Sequence, residues 1–398
     1  MLQRQITPYL QQFTKQYPIV TVTGPRQSGK STLVKTTFPH YKYVSLEDPD
    51  IRQFAQNDPR EFLQNYACHV IFDEVQRVPE LFSYLQTLVD QTDEPGQFIL
   101  TGSEQFEISH NISQSLAGRT AIIRLLGLSQ SELFETEPQQ CWHHQQLTQR
   151  PTPRQDKYTA ILNGGYPRIV KHDLNPFQFH RDYFETYVTR DLRQMTAITD
   201  IDQFTTFVRV LAGWSGCQLN YAAISKIVGV SETTIRRWIA VLQQSYLITL
   251  QQPYYKNFKK RLVKSPKLFF LDTGLLCYLL NIRNVDQLKT HPQVGEIFET
   301  YIISELLKNF YNACETPYIY YWNVQNQGEV DALIELTADQ YCLAEIKLAS
   351  TIIPSFFKGF TAFDKAAQPK SSYRYLIYGG GQWLIRNQTQ LIPWFGVG

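Results

Sequence analysis

Over the first 135 residues the apolar positions fall into short runs with polar, helix-period stretches between them. Residues 19–23, 41–46, 69–72, 97–101 and 120–125 are rich in apolar, β-branched or aromatic residues and read as strands. Residues 79–89 carry the clearest helical spacing. Strands alternating with helices predict a parallel sheet covered on both faces. Further along, residues 183–195 read as a helix, as do 221–228 and 232–245 on either side of Gly229-Val230-Ser231. In the second of these, Ile235, Trp238, Ile239 and Leu242 share one face, and Ser231 suits the N-cap. A strand at 246–250 completes a helix-turn-helix with a wing. The last stretch begins with an amphipathic helix at 295–307. Strands at 318–322, 329–334 and 341–346, a helix at 354–366 and a strand at 373–378 follow, in αβββαβ order. The fold class is therefore α/β multidomain.

Chemistry enters at residues 18–32, the stretch around which the rest is organised. Gly24, Gly29, Lys30 and Ser31 fit G-x-x-x-x-G-K-[ST] between a strand and a helix start, the setting that a P-loop requires. Glycines let the backbone curl so that successive N–H groups face a polyphosphate. The helix start adds unpaired donors and partial positive charge. Gly24, Pro25, Arg26, Gln27, Ser28, Gly29, Lys30, Ser31 and Thr32 are the expected ATP-binding residues. Lys30 would reach the β- and γ-phosphates, and the Ser31 hydroxyl would serve Mg²⁺.

The third strand ends Val-Ile-Phe-Asp73-Glu74, an apolar strand tipped by two acids, the Walker B pattern. Asp73 is placed to hold Mg²⁺ through water, and Glu74 to polarise an attacking water as general base. The next strand ends Thr101-Gly102-Ser103. Ser103 is the first candidate for orienting that water or sensing the γ-phosphate, and Thr101 the second.

Taken together, GPRQSGKST, the Leu-Glu-Asp-Pro segment at 46–49, IFDEVQ at 71–76, LTGS at 100–103 and SLAGR at 115–119 resemble a known family. It is the prokaryotic AAA-type ATPases whose P-loop domain precedes a C-terminal domain of unknown function with a nuclease-like fold. The Gly164-Gly165-Tyr166-Pro167 turn and the Lys264–Gly274 segment also match, so the resemblance covers nearly the full chain. It implies that in such ATPases the Thr101 strand lies between the P-loop and Walker B strands. It also implies a lid-like helical bundle after the core. Arg119 becomes the candidate arginine finger, completing the site of its own or a neighbouring subunit; the other reading is an Arg paired with an acid in its own subunit. Finger use in trans implies a homo-oligomer.

The helix-turn-helix presents Lys226, Thr233, Thr234, Arg236 and Arg237, followed by Lys256, Lys259, Lys260, Arg261 and Lys264. Such a helix can lie in the major groove of double-stranded DNA. Winged helices also serve as packing and protein-contact modules, and both readings stand. Asp272 and Gly274 are expected to shape a turn.

The αβββαβ order matches a PD-(D/E)xK nuclease core. Asp331 ends or bends one strand, and Glu345-x-Lys347 lies on the next, with alternation putting Glu345 and Lys347 on one face. With Glu299 on the preceding helix, these residues form the candidate site for a second Mg²⁺ or Mn²⁺, Lys347 stabilising hydroxide or phosphate charge. The alternative is a polar cluster that only ties helix to sheet.

Five segments result: an ATPase core at 1–135, a polar linker at 136–156, a helical lid-like region at 157–215, a winged helix-turn-helix at 216–290 and the nuclease-like domain at 291–398. The linker is rich in Gln and Pro and predicts a surface loop with little buried; its His143-His144 pair is spaced poorly for metal binding. A net charge of +2 on 398 residues gives no global field for nucleic acid, so a local patch must carry DNA binding. Scattered cysteines, the start of the chain and the lack of an 18-residue apolar run predict a reduced, cytoplasmic chain off the membrane. The function expected is an Mg²⁺-dependent ATPase coupled to a winged helix and a nuclease-like domain acting with DNA. The alternative is a signalling or scaffold ATPase whose inactive nuclease-like domain docks a protein partner.

Overall fold

A computed structural model describes residues 2–92, 94–103, 115–143, 148–191, 201–255, 265–324 and 328–397, without the side chains of 141 and 188–191. Contacts group the chain into two compact units. One comprises Met1–Leu128, Gln244–Tyr246 and Phe310–Thr316; the other comprises Ser129–Gln243, Leu247–Asn309 and Pro317–Gly398.

The first unit runs α1 (Thr7–Thr14), β1 (Ile19–Thr23), α2 (Lys30–Thr37), β2 (Lys42–Ser45), α3 (Pro49–Asn57), α4 (Pro59–Asn65), β3 (Val70–Asp73), α5 (Leu81–Thr92), β4 (Phe98–Gly102) and β5 (Thr120–Arg124). Its five strands lie all parallel in the order β2-β3-β4-β1-β5. The expected insertion of the Thr101 strand between the P-loop and Walker B strands is what the sheet has. Alternation along the strands builds two cores. Ile19, Phe72, Phe98 and Leu100 join Phe62 and Leu85 on one face; Val20, Val22, Ile71 and Ile99 join Leu33 and Val34 on the other. Phe72 stacks on Phe98 and meets Phe62, so truncating it to Ala would cost about 3–5 kcal/mol. The Leu-Glu-Asp-Pro segment has a plain physical role: Asp48 caps α3 through the Asp50 and Ile51 amides, and Pro49 starts the helix. Beside the P-loop strand, the Thr23 hydroxyl lies 2.9 Å from that of Tyr246, and Arg124 sits over the ring of Tyr311.

The chain continues with α6 (Gln130–Phe134), α7 (Lys157–Asn163), α8 (Pro167–His172), α9 (Pro176–Tyr183), α10 (Ile201–Ala212), α11 (Tyr221–Val228), α12 (Glu232–Gln244), β6 (Ile248–Gln251), β7 (Lys267–Phe270), α13 (Thr273–Leu279), α14 (Val285–Thr290) and α15 (Val294–Asn312), all in the second unit except Gln244 and residues 310–312. After them come β8 (Ile319–Val324), β9 (Gly328–Thr337), β10 (Gln340–Lys347), α16 (Lys358–Ala367), β11 (Ser371–Tyr378), β12 (Leu384–Arg386) and β13 (Thr389–Pro393). The six-stranded sheet has the order β12-β13-β11-β10-β9-β8. The strand pairs β8/β9 and β9/β10 are antiparallel, and α16 provides the crossover that parallel β10 and β11 need. The αβββαβ order is present, with β12 and β13 added at one edge.

Several expectations need correction. The helix expected at 183–195 begins at Pro176 as α9 and continues from Phe184 to Asp191 with wider π-helical turns. The helix read as amphipathic is buried nearly all round, because its charges are paired inside. Glu305 accepts from Lys308 at 2.6 Å and from the Gln130 amide at 2.7 Å. The polar linker is not all surface: Trp142 is buried, and Gln139 makes two 2.8 Å bonds with the main chain of Thr148. His143 is exposed, and His144 lies outside the described residues.

Asp272 does not shape a turn but caps α13, accepting from the Leu275 amide at 2.9 Å and from the Gly165 amide at 2.8 Å. Two matched motifs thus form one knot. A Cβ at Gly164 would meet an Asp272 carboxylate oxygen at 2.5 Å, and one at Gly274 would meet His180 Nε2 at 2.2 Å. Neither site has room for a side chain. Among the described residues no helix is long and apolar enough to cross a membrane.

His180 is fully buried, 3.6 Å from Asp272 and against the rings of Tyr166 and Phe179. Burial lowers its pKa from the ordinary 6.5, and Asp272 only partly opposes this. As pH falls through about 6.5, the unfolded chain takes up a proton that the folded chain resists, so stability falls. Denaturant midpoints between pH 7.5 and 5 should therefore drop more steeply for the wild type than for His180→Gln. Parallel slopes would remove His180 from the account.

Candidate active site

The P-loop follows β1 directly. Gly24 has φ +151°, and a Cβ there would meet the Leu125 carbonyl oxygen at 2.0 Å, so the loop is pressed against the end of β5. Gln27 and Gly29 take left-handed backbone, and Gly29 caps α2. Arg4, which the sequence reading missed, braces the loop from behind. Its guanidinium donates to the carbonyls of Ser28 and Leu126, both at 2.9 Å. The Ser28 hydroxyl is buried with no hydrogen-bond partner among the described residues. Arg26 is half-buried, whereas Gln27 and Thr32 are exposed.

Lys30 is buried and donates to the carbonyls of Gly24 and Pro25 at 3.0 and 2.9 Å. Desolvation pulls its pKa down to about 8, although Glu74 and Asp73 act to raise it. Asp73, at the end of β3, gathers three hydroxyls. Ser31 donates to both its oxygens at 2.9 and 3.0 Å, Tyr43 donates to one at 2.5 Å, and Thr101 donates to the other. Burial first, and Asp73 next, raise the Tyr43 pKa, so its proton stays in that bond. Lys35 lies 3.3 Å above the Tyr43 ring. Thr101, the second candidate at its strand tip, is thus on Asp73.

Glu74 has φ +56°, a left-handed conformation costing about 1–2 kcal/mol for a side-chain-bearing residue. Ser103 donates to its carboxylate at 3.1 Å, and Gln76 donates to the same oxygen. Gln76 Nε2 also lies 3.4 Å from the Ser103 hydroxyl. Ser103 therefore stands at Glu74. Gln76 closes the IFDEVQ stretch, and nothing local in the sequence marks it for this contact. The donor set fits a Mg²⁺-nucleotide: a tight glycine cradle, an orphaned buried hydroxyl, an ammonium and a preordered carboxylate.

Arg119 lies elsewhere. Its carbonyl accepts from the Ile19 amide at the start of β1, so it is at the opposite sheet edge from the P-loop. Five residues of β1, about 16 Å, separate the two edges. Its guanidinium holds Asp90 with two bonds of 2.5 and 2.8 Å and is 32% exposed. It does not face the P-loop of its own subunit.

In the second unit α11 and α12 flank a left-handed Gly229, and Ser231 caps α12 through the Thr234 amide at 3.2 Å. Ile235, Trp238, Ile239 and Leu242 are buried; Lys226, Thr233, Arg236 and Arg237 are exposed, with Thr234 half-buried. Arg236 stacks on Tyr221 at 3.8 Å. β6 and β7 form an antiparallel pair, and the basic run Lys256, Lys259, Lys260, Arg261 and Lys264 lies outside the described residues.

The C-terminal candidates do converge. Lys347 bonds Glu345 at 2.7 Å and Asp331 at 3.4 Å, and the Ile346 amide donates to Asp331 at 2.7 Å. Glu299 meets a residue outside the candidate set, Lys267, at 2.9 Å; Lys267 also holds Glu329 at 2.5 Å. Burial and Asp331 raise the Glu299 pKa to about 7 and push Glu345 well above the carboxylate range. Among the described residues no group of three or more His, Cys, Asp or Glu is arranged to hold a metal ion. The expected metal thus does not fit the residues as they are placed, because ammonium groups occupy the carboxylates.

Comparison with known proteins places these observations. Residues 16–134 match the family model described as an AAA domain. Residues 154–286 match a domain of unknown function, DUF8612, and residues 294–395 match another, DUF4143. An uncharacterized protein of Mycobacterium tuberculosis is 29% identical over 337 residues, covering 84% of this chain and 71% of its own. An uncharacterized protein of Haemophilus influenzae is 22% identical, covering 74% and 75%. Among solved structures, a Walker-type ATPase of Pyrococcus abyssi aligns with TM-score 0.44 at 13% identity, over 70% of this chain and 96% of that one. AMPPCP-bound DnaA from Aquifex aeolicus aligns with TM-score 0.28 at 14% identity, over 60% and 86%. The chain carries a P-loop ATPase domain of AAA type, followed by two domains of unknown function.

Proposed function

We propose that this chain binds and hydrolyses ATP with Mg²⁺, and that the cycle governs its engagement with double-stranded DNA through the α11–α12 helix pair. The observation that carries the ATPase reading is the pairing of Ser31 with Asp73 at 2.9 Å, next to buried Lys30. In this reading the amides of residues 24–31 and the Lys30 ammonium hold the phosphates. Ser31 and Asp73 hold the metal, which supplies charge neutralisation on the phosphate oxygens. Tyr43 and Thr101 fix the Asp73 carboxylate beforehand, so little reorganisation is needed. Glu74 accepts the proton of the attacking water, and Ser103 with Gln76 aims its carboxylate. Arg119 completes the site of a neighbouring copy, which makes the active form a homo-oligomer. The exposed Arg237 and Lys226 on α12 and α11 favour DNA over protein docking as the output, because a phosphate backbone rewards such charges. Docking of a protein partner by the C-terminal sheet is the competing output.

Lys30→Ala should abolish ATP binding in calorimetry. Glu74→Gln should keep binding and lose turnover by about 10²–10⁴-fold. Mixing Arg119→Ala with Lys30→Ala chains should restore turnover, since each supplies what the other lacks. ATP binding equal to wild type in Lys30→Ala sinks the nucleotide reading; silence on mixing removes Arg119 from it.

Lys30 binds phosphate as an ammonium, and burial sets its pKa near 8. Above that pH the free protein must take up a proton to bind, so affinity should fall by up to tenfold per pH unit between 8 and 9.5. A flat profile would contradict this role.

A labelled DNA duplex should bind with a steep log–log dependence on salt. That slope should become shallower by about 0.9 in Lys226→Ala and again in Arg237→Ala, because each side chain neutralises one phosphate. Unchanged slopes in both variants would pass the output to the docking reading.

A further inference from the structure

The hairpin of β6 and β7 is seated on the C-terminal sheet. Gln251 and Lys267 are register partners in it. Gln251 donates to the Asp331 carbonyl at 2.9 Å. Lys267 reaches Glu299 at 2.9 Å and Glu329 at 2.5 Å, and its side chain is only 7% exposed. It is a fixed buried ammonium, not a surface lysine that swings away. Lys347, on β10, takes Glu345 and Asp331 in the same way. Four carboxylates from α15, β9 and β10 are thus shared between two ammonium nitrogens. A hard divalent ion needs several such oxygens at about 2.0–2.5 Å, and it would be repelled by the fixed positive charge already there.

We propose that the Lys267 ammonium takes the place of a divalent cation in this domain, so that the wild-type sheet binds no metal and performs no metal-assisted phosphodiester cleavage. The β7 lysine converts a constellation of nuclease type into a charge-closed core. Its removal uncovers Glu299 and Glu329 beside Asp331, whose charge acts on both Lys267 and Glu299, and the vacated position then suits Mg²⁺ or Mn²⁺.

The test uses the full chain with Asp73→Asn as background, which removes the ATPase metal ligand. Bound Mn²⁺ is counted by electron paramagnetic resonance without nucleotide. The background chain should bind none below millimolar concentration. Adding Lys267→Met should give one bound Mn²⁺ per chain at least tenfold more tightly, and adding Asp331→Asn should abolish it. If Lys267→Met folds only when Mn²⁺ is present, by circular dichroism, the proposal is equally supported. If it folds in neither condition, Lys267→Met with Glu329→Gln carries fewer unpaired charges and is read the same way. The proposal is overturned by micromolar Mn²⁺ binding in the background chain that Asp331→Asn removes. It is also overturned if either folded Lys267 variant gains no ion. Neither result bears on ATP binding, since the P-loop metal ligand is absent throughout.

Discussion

One carboxylate anchors the candidate ATPase site. Asp73 accepts hydrogen bonds from the hydroxyls of Ser31 on α2, Tyr43 on β2 and Thr101 on β4, and so ties three elements to the end of β3. Each bond is charge-assisted and therefore stronger than a neutral one. The parallel sheet makes this convergence possible, since all its strands end at the same edge. The P-loop needs the same edge: only glycine fits at position 24, because the Leu125 carbonyl at the end of β5 lies where a Cβ would stand.

A second constraint recurs in the other unit, where charge is buried and must be answered locally. Glu305 with Lys308, Asp272 with the Leu275 and Gly165 amides, and the Lys267 and Lys347 cluster are three solutions. In each the partner comes from a different stretch of chain or a different turn. Breaking one partner leaves an uncompensated ion, which costs about 3–5 kcal/mol. These interactions specify arrangement more than they add stability.

What the sequence disclosed follows this division. The P-loop, the Asp73-Glu74 pair and the Ser231 cap are local patterns, and local patterns are readable. The αβββαβ order was readable because each strand is a contiguous apolar run. Tyr43 was not, although it stands two residues before Ser45, the register partner of Asp73, and so on the same face. Arg4 was invisible because its acceptors, Ser28 and Leu126, are remote main-chain carbonyls. Lys267 sat unremarked inside a matched segment, and Glu329 at the start of the 329–334 strand, because their pairing is long-range. β12 escaped because all three of its residues are exposed and give no alternation. The motifs that lacked a chemical role, Gly164-Gly165 and Asp272-Thr273-Gly274, owe their composition to packing around His180.

The first compact unit is not contiguous in the chain. It takes in Gln244–Tyr246 and Phe310–Thr316 as well as the first 128 residues. The Thr23 hydroxyl at the root of the P-loop therefore finds Tyr246 only after more than two hundred further residues have been synthesised. On a ribosome, vectorial synthesis delivers the phosphate-binding loop early and its last packing partners late. The nascent sheet must wait, with part of its apolar surface uncovered, until residue 316 has emerged.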